Sequence, residues 1–198
     1  MFVTFEGLDG SGKSTQAALL VEWLAAAGRR VLTAREPGKT PLGERVRELV
    51  LHGGEMTPWA EAALFAAARA ELVAREIRPA LERGEDVVLD RYLDSSVAYQ
   101  GFGRRLGEDG VRQLSLTVTG ALLPDRTFLL TIGADVARSR AQARPDRIER
   151  EDGSFVERVA DGYRRLAAAE PDRFVTLDGA RRPEEIAEEI REHVHALL

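Results

Sequence analysis

The 198-residue chain is 44% hydrophobic and 31% charged, which predicts one domain with a full hydrophobic core rather than two domains or a disordered segment. No apolar run approaches the roughly 20 residues that cross a bilayer, residues 1–6 read as a strand and not a secretion signal, and there is no cysteine for disulfides or thiolate metal sites; the expectation is a cytoplasmic protein with no membrane partner. A net charge of −5 argues against a nucleic-acid partner, which calls for a basic face, but leaves room for a local cluster of positive groups around a phosphate ester.

In chain order, a β-branched run at 3–5 predicts a first strand, followed by Gly7-Leu8-Asp9-Gly10-Ser11-Gly12-Lys13-Ser14 and a helix at 14–27. The octapeptide matches G-x-x-x-x-G-K-[ST]. Its glycines let successive N–H groups turn inward on phosphate oxygens, Lys13 reaches the β/γ phosphates, and the Ser14 hydroxyl is placed for Mg²⁺. The helix N-terminus behind it favours the same anion. Of 28 Lys+Arg residues only Lys13 and Lys39 are lysine; each follows a glycine and precedes a hydroxyl residue.

A second strand is expected at 31–34, a turn-rich segment at 36–43, and helices at 41–51 and 58–83, the latter kinked or ended early by Pro79. Phe65 and Arg69 lie four apart on that helix and share one face. On spacing alone they fit either a base-binding surface or ordinary core. The strand at 87–90 ends in Asp90-Arg91-Tyr92. An aspartate there sits where P-loop proteins need a carboxylate near Mg²⁺, and Arg91 could grip a phosphate bidentately or simply pair with Asp90. Helices follow at 108–119 and 134–143, with a strand at 127–132 between them. A helix at 154–170, a strand at 174–177 and a helix at 183–197 complete the chain. This alternation predicts an α/β fold, a doubly wound and mostly parallel five-stranded sheet with ligands at the strand C-termini.

The segment 138–150 carries Arg138, Arg140, Arg144, Arg147 and Arg150 around Pro145, in a weakly periodic stretch. It reads as a closing lid at about 138–153 whose arginines neutralise a phosphoryl transition state, the other reading being a solvated, ion-paired helix face. The absence of any asparagine disfavours a GTPase, which needs an Asn-Lys-x-Asp guanine reader. His52, His193 and His195 form no catalytic or metal set.

Four segments together resemble the thymidylate kinase family, the P-loop kinases of nucleoside monophosphates that phosphorylate dTMP. Phe5-Glu6-Gly7-Leu8-Asp9-Gly10-Ser11-Gly12-Lys13-Ser14-Thr15-Gln16 resembles its opening, and Arg35-Glu36-Pro37-Gly38 its second loop. Leu64-Phe65-Ala66-Ala67-Ala68-Arg69 is similar to its base-binding helix, and Asp90-Arg91-Tyr92-Leu93-Asp94-Ser95-Ser96-Val97-Ala98-Tyr99-Gln100-Gly101 to its acceptor-phosphate and sugar segment. The resemblance implies ATP and Mg²⁺ bound by Gly7–Ser14 with Thr15, the metal held at Ser14 and Asp90. It implies a phosphate grip from Arg91 with Arg35, and a thymine stacked on Phe65 and hydrogen-bonded by Arg69. Asp9 would lie near the 3′-hydroxyl and Tyr99 under the sugar, with Ser96 and Gln100 as polar contacts. Arg144 and Arg147 are the lid arginines expected at the transition state, because Asp9-Gly10-Ser11 holds no basic residue, and with Lys13, Asp9 and Arg91 they make the expected catalytic set. Where bacterial members commonly read Glu-Pro-Gly-Gly-Thr, Lys39 replaces the second glycine and is expected near the acceptor phosphate. A homodimer through 58–83 and 108–119 is also implied. A kinase for another small acceptor would share the cradle and the lid without Phe65 and Arg69 binding thymine, and a nucleotide-binding switch would bind ATP without transferring it.

Overall fold

The computed structural model describes residues 1–133, 136, 140 and 146–198. Five parallel strands form one sheet in the order β2-β3-β1-β4-β5: β1 (Phe2–Gly7), β2 (Val31–Arg35), β3 (Asp86–Asp90), β4 (Arg126–Thr131) and β5 (Phe174–Asp178). All five expected strands are present. Their apolar residues alternate between two buried faces. Phe2, Val87, Leu89 and Leu129 point into one core, while Val3, Phe5, Val88, Phe128 and Leu130 point into the other. A sheet buried on both sides needs no polar face, and this explains why its strands read as near-continuous apolar runs.

Helices α1 (Lys13–Ala26) and α8 (Pro183–His195) cover the second face through Leu20, Leu24, Ile186 and Ile190. The first face lies under α2 (Pro41–His52), α3 (Pro58–Leu72), α6 (Glu108–Thr119) and α7 (Gly153–Ala169). Thr40 and Asp152 cap α2 and α7 by accepting from Gly43 N–H and Phe155 N–H. Pro79 does not end the expected 58–83 helix early; the helix runs on to Glu82. A π turn at Val73–Ile77, closed by Arg78 N–H on the Val73 carbonyl, leads into α4 (Arg78–Glu82) with Pro79 in its first turn. The wider turn removes the carbonyl clash that a proline makes in a regular α-helix. Of the helix expected at 134–143, only residues 136 and 140 are described.

The sequence pattern did not indicate α5 (Leu93–Ser96), which runs into a second π segment at Val97–Gly103. Two glycines and the β-branched Val97 make this stretch a poor helix former. Burial holds it instead: Val97, Ala98, Tyr99 and Gln100 are all inside. Gly103 lets it meet α7 closely, since a Cβ there would lie 2.7 Å from a Phe155 ring carbon and 2.9 Å from a Val159 methyl. Gly103→Ala is therefore expected to cost about 1–3 kcal/mol by overpacking, read as a lowered midpoint in urea denaturation.

Candidate active site

The loop between β1 and α1 wraps an open space. Gly7 has φ +137°, and a Cβ on it would lie 2.3 Å from the Leu130 carbonyl oxygen, so only glycine permits β1 and β4 to approach here. Leu8, Asp9, Gly10, Gly12, Lys13, Ser14 and Thr15 line the resulting cleft. Lys13 is buried and its Nζ donates to the Leu8 carbonyl at 2.8 Å. Burial, with Arg91 beside it, brings this ammonium down to about 8 against the pull of Asp9, Asp90 and Glu6. Ser14 Oγ donates to Asp90 Oδ2 at 2.5 Å, which brings two oxygen ligands of the kind Mg²⁺ prefers to one point. No group of three or more His, Asp or Glu suited to a metal occurs among the described residues. The Ser11 hydroxyl is buried in the loop, without a hydrogen-bond partner among the described residues.

Arg91 follows β3 in a left-handed conformation, φ +72°, with its N–H on the Phe5 carbonyl. The strained turn throws its side chain back over β1. Its guanidinium donates to Asp9 Oδ1 at 2.6 Å, Ser95 Oγ at 3.0 Å, Gly7 O at 3.1 Å, Tyr163 Oη at 3.2 Å and Tyr99 Oη at 3.3 Å. Burial would raise the Asp9 carboxyl, but Arg91 and Lys13 outweigh it and hold it at about 2.

A second pocket, of about 570 Å³ with its open mouth, lies between α3 and the π segment. Phe65, Arg69, Ser96, Tyr99 and Gln100 line it, as do Glu36, Pro37 and Arg47. Its walls are built by buried carboxylates that hold arginines and amides in place. Arg69 is 1% exposed and donates to Glu36 Oε2 at 2.7 Å, Ser96 Oγ at 3.0 Å, Ser115 Oγ at 3.2 Å and Tyr92 O at 3.2 Å. Among the described residues the other Glu36 oxygen is buried with no partner, an acceptor available to a ligand. Glu61 accepts from Gln100 Nε2 at 2.9 Å, from Arg104 at 3.1 Å and from Arg147 at 2.6 Å. Asp9, Arg91 and Tyr99 line both this pocket and the cleft over the P-loop.

Residues 5–190 match the family pattern described as thymidylate kinase. The chain belongs to the thymidylate kinase family. It is 56% identical to the thymidylate kinase of Leifsonia xyli subsp. xyli, over 96% of this chain and 92% of that one. It is 50% identical to the thymidylate kinase of Deinococcus radiodurans, over 96% and 94%. The crystal structure of the Ehrlichia chaffeensis thymidylate kinase superposes with a TM-score of 0.82 at 32% identity, covering 98% of each chain. The fold is thus that of P-loop nucleoside monophosphate kinases, and the chain is a phosphotransferase that phosphorylates dTMP.

Most residues singled out in the sequence converge on the two cavities. Arg35 is exposed and lines the cleft. Lys39 lines neither cavity; it is exposed and takes φ +71°, the shape a glycine would adopt, with its N–H on Glu44 Oε1 at 2.7 Å. Arg144 and Arg138 lie outside the described residues. Arg147 lines neither cavity. Besides Glu61 its side chain donates to the Val50 carbonyl at 2.9 Å, and its N–H to the Leu51 carbonyl, so it ties residues 146–151 to the C-terminus of α2. Among the described arginines of the expected lid, Arg140 touches the P-loop, donating to Gly10 O at 3.2 Å and Gly179 O at 3.1 Å.

Glu6, Arg47, Glu61, Ser95, Arg104 and Tyr163 were missed. Glu61 reads as an ordinary acid in the first turn of a helix, and Tyr163 as core. Only Glu6, a charge inside an apolar strand, carried a visible signal. Burial disfavours the Glu61 charge, but bonds from Arg104, Gln100 and Arg147 hold its carboxyl below the usual glutamate range. Its stabilising effect is thus full above that range and is lost as pH falls through its lowered value. Glu61→Ala is expected to cost about 3–5 kcal/mol at neutral pH by leaving two arginines without their acceptor. Urea titrations should show the gap to wild type narrowing as the medium is acidified below the glutamate range.

Proposed function

We propose that this chain, acting as one domain, transfers the γ-phosphoryl group of Mg-ATP directly to the phosphate of dTMP, giving dTDP. The observation that carries this is the meeting of the two cavities at Asp9, Arg91 and Tyr99. A donor phosphate on the P-loop and an acceptor phosphate at Arg91 would face each other there, which supports direct transfer. Catalysis is then positioning and charge neutralisation.

In this reading the N–H groups of Gly7–Thr15 cradle the ATP phosphates, and Lys13 sits at the β/γ oxygens. Ser14 and Asp90 would hold Mg²⁺ through oxygen ligands of the kind that ion prefers. When bound, that ion neutralises charge developing on the transferred group. Arg91, with Arg35 and Arg47 nearby, grips the acceptor phosphate. Phe65 stacks on thymine, and Ser96 and Gln100 are polar contacts. Arg69 has four of its five N–H donors engaged among the described residues, which leaves one for the base. Tyr99 packs under the sugar and Asp9 lies towards its 3′-hydroxyl. Arg140, Arg144 and the rest of the lid contribute charge to the transition state, whereas Arg147 anchors the foot of the lid. A homodimer through α3 and α6 is supported by Trp59, half exposed at the start of α3 beside Gly110 of α6. A cytoplasmic location is supported by the lack of cysteine.

ADP release is measured with Mg-ATP and each of dTMP, dUMP, AMP, CMP and shikimate. Stimulation by dTMP well above the others is expected. Stimulation by another acceptor instead would move the pocket assignment, and tight nucleotide binding without release would favour a switch. Lys13→Ala is expected to lower kcat by about 100-fold or more, the effect of losing one charge-stabilising donor. Phe65→Ala should raise the KM for dTMP about tenfold or more while sparing that for ATP, since stacking on a base contributes about 1–3 kcal/mol. Equal losses for both substrates would make Phe65 a core residue.

A further inference from the structure

Glu6 is fully buried in β1, where a carboxylate is costly unless its oxygens are used. Its Oε1 accepts the Tyr92 N–H at 2.7 Å, and its Oε2 accepts Ser95 Oγ–H at 2.5 Å and Tyr163 Oη–H at 3.0 Å. Among the described residues its carboxylate thus touches one amide and two hydroxyls, and no cation directly.

Those same two hydroxyls lie 3.0 Å and 3.2 Å from one nitrogen of Arg91. Burial, with the Asp94 charge nearby, pushes the Glu6 carboxyl up to about 7, so it is an ionised acceptor above that pH; a guanidinium only donates and an ionised carboxylate only accepts, whereas a hydroxyl can do either. A carboxylate behind the hydroxyls draws their protons to itself and leaves oxygen lone pairs towards Arg91. The 2.8 Å contact between Ser95 Oγ and Tyr163 Oη fits this. Whether or not one donates to the other, the chain of O–H bonds ends on Glu6 and lone pairs remain for the guanidinium. Glu6 also pins the backbone of the turn next to Arg91, whose φ of +72° needs such support.

We propose that Glu6 is a positioning residue for the transfer: it sets the direction of the Ser95 and Tyr163 hydroxyls and thereby aims Arg91 at the acceptor phosphate. This rests on the reading of Arg91 as the residue that grips that phosphate.

The test is Glu6→Gln, which keeps the shape but puts an N–H donor where the carboxylate accepted. A hydroxyl proton must then turn towards Arg91. The expected result is a KM for dTMP raised about tenfold, the scale of one charge-assisted hydrogen bond, with the KM for ATP within about twofold. In a Ser95→Ala/Tyr163→Phe background, which has no hydroxyls to orient, the same substitution should change the dTMP KM by less than about twofold. Equal effects on both substrates, or an undiminished effect in that background, would overturn the proposal. Should Glu6→Gln not fold, Ser95→Ala and Tyr163→Phe singly are expected to raise the dTMP KM about threefold or more, and no change in either would overturn it. An unchanged dTMP KM in Arg91→Ala would remove the underlying reading and this proposal with it. A large loss in Arg91→Ala beside a silent Glu6→Gln would remove this proposal alone.

Discussion

The Asp9–Arg91 ion pair, closed at 2.6 Å, joins the loop after β1 to the turn after β3. Everything on the acceptor side is placed relative to it. A guanidinium taken largely out of water must find acceptors for its N–H groups. Here they come from a carboxylate, a backbone carbonyl and three hydroxyls on four separate parts of the chain. Burial works against the Arg91 charge, but Asp9 more than compensates and drives its pKa well above the ordinary arginine value. With Asp9 held at about 2, the pair is fully charged at neutral pH and present before any ligand arrives. This preorganisation is what phosphoryl transfer needs from a protein that does little covalent chemistry.

Carboxylates behind arginines recur around the acceptor pocket, and the number of donors decides how each behaves. Among the described residues Glu36 meets one guanidinium, keeps one oxygen without a partner, and is pushed above the usual glutamate range because burial dominates. Glu61 is also buried, yet two guanidinia and an amide outweigh the desolvation and its carboxyl moves down. Arg104 extends that second cluster, pairing with Glu151 and lying over the Phe155 ring at 4.7 Å. The pocket between α3 and the π segment, residues 146–151 and the start of α7 are thereby held together. The acidic balance of the chain thus coexists with a site rich in arginine, because the buried carboxylates of Glu36 and Glu61 pair with the arginines around it.

Backbone shape imposes a second constraint. Gly7 is required by steric contact with β4, whereas Arg91 and Lys39 adopt left-handed conformations with side chains in place. Such a residue costs roughly 1–2 kcal/mol, and surrounding bonds must repay it. Arg91 is held by the Phe5 carbonyl, and Lys39 by the Glu44 carboxylate. The loop following β2 thus keeps the conformation of a glycine turn while carrying a lysine.

Short-range pattern was sufficient for the strands, the P-loop and the order of the motifs. Each of these follows from backbone geometry or alternation over a few residues, and each appears where periodicity placed it. Phe65 and Arg69 were ambiguous until the pocket formed around them, since helical spacing puts core and ligand-facing residues on the same face. The fate of Arg147 was undecidable locally. An arginine in a lid and an arginine capping a helix look alike until Glu61, 86 positions away, is brought within 2.6 Å. The same holds for Glu6, whose hydroxyl partners lie 89 and 157 positions further along. Alternation and turn chemistry act between neighbours and can be read from the chain. Which buried charge faces which donor depends on how the layers close over one another, and only the assembled fold decides it.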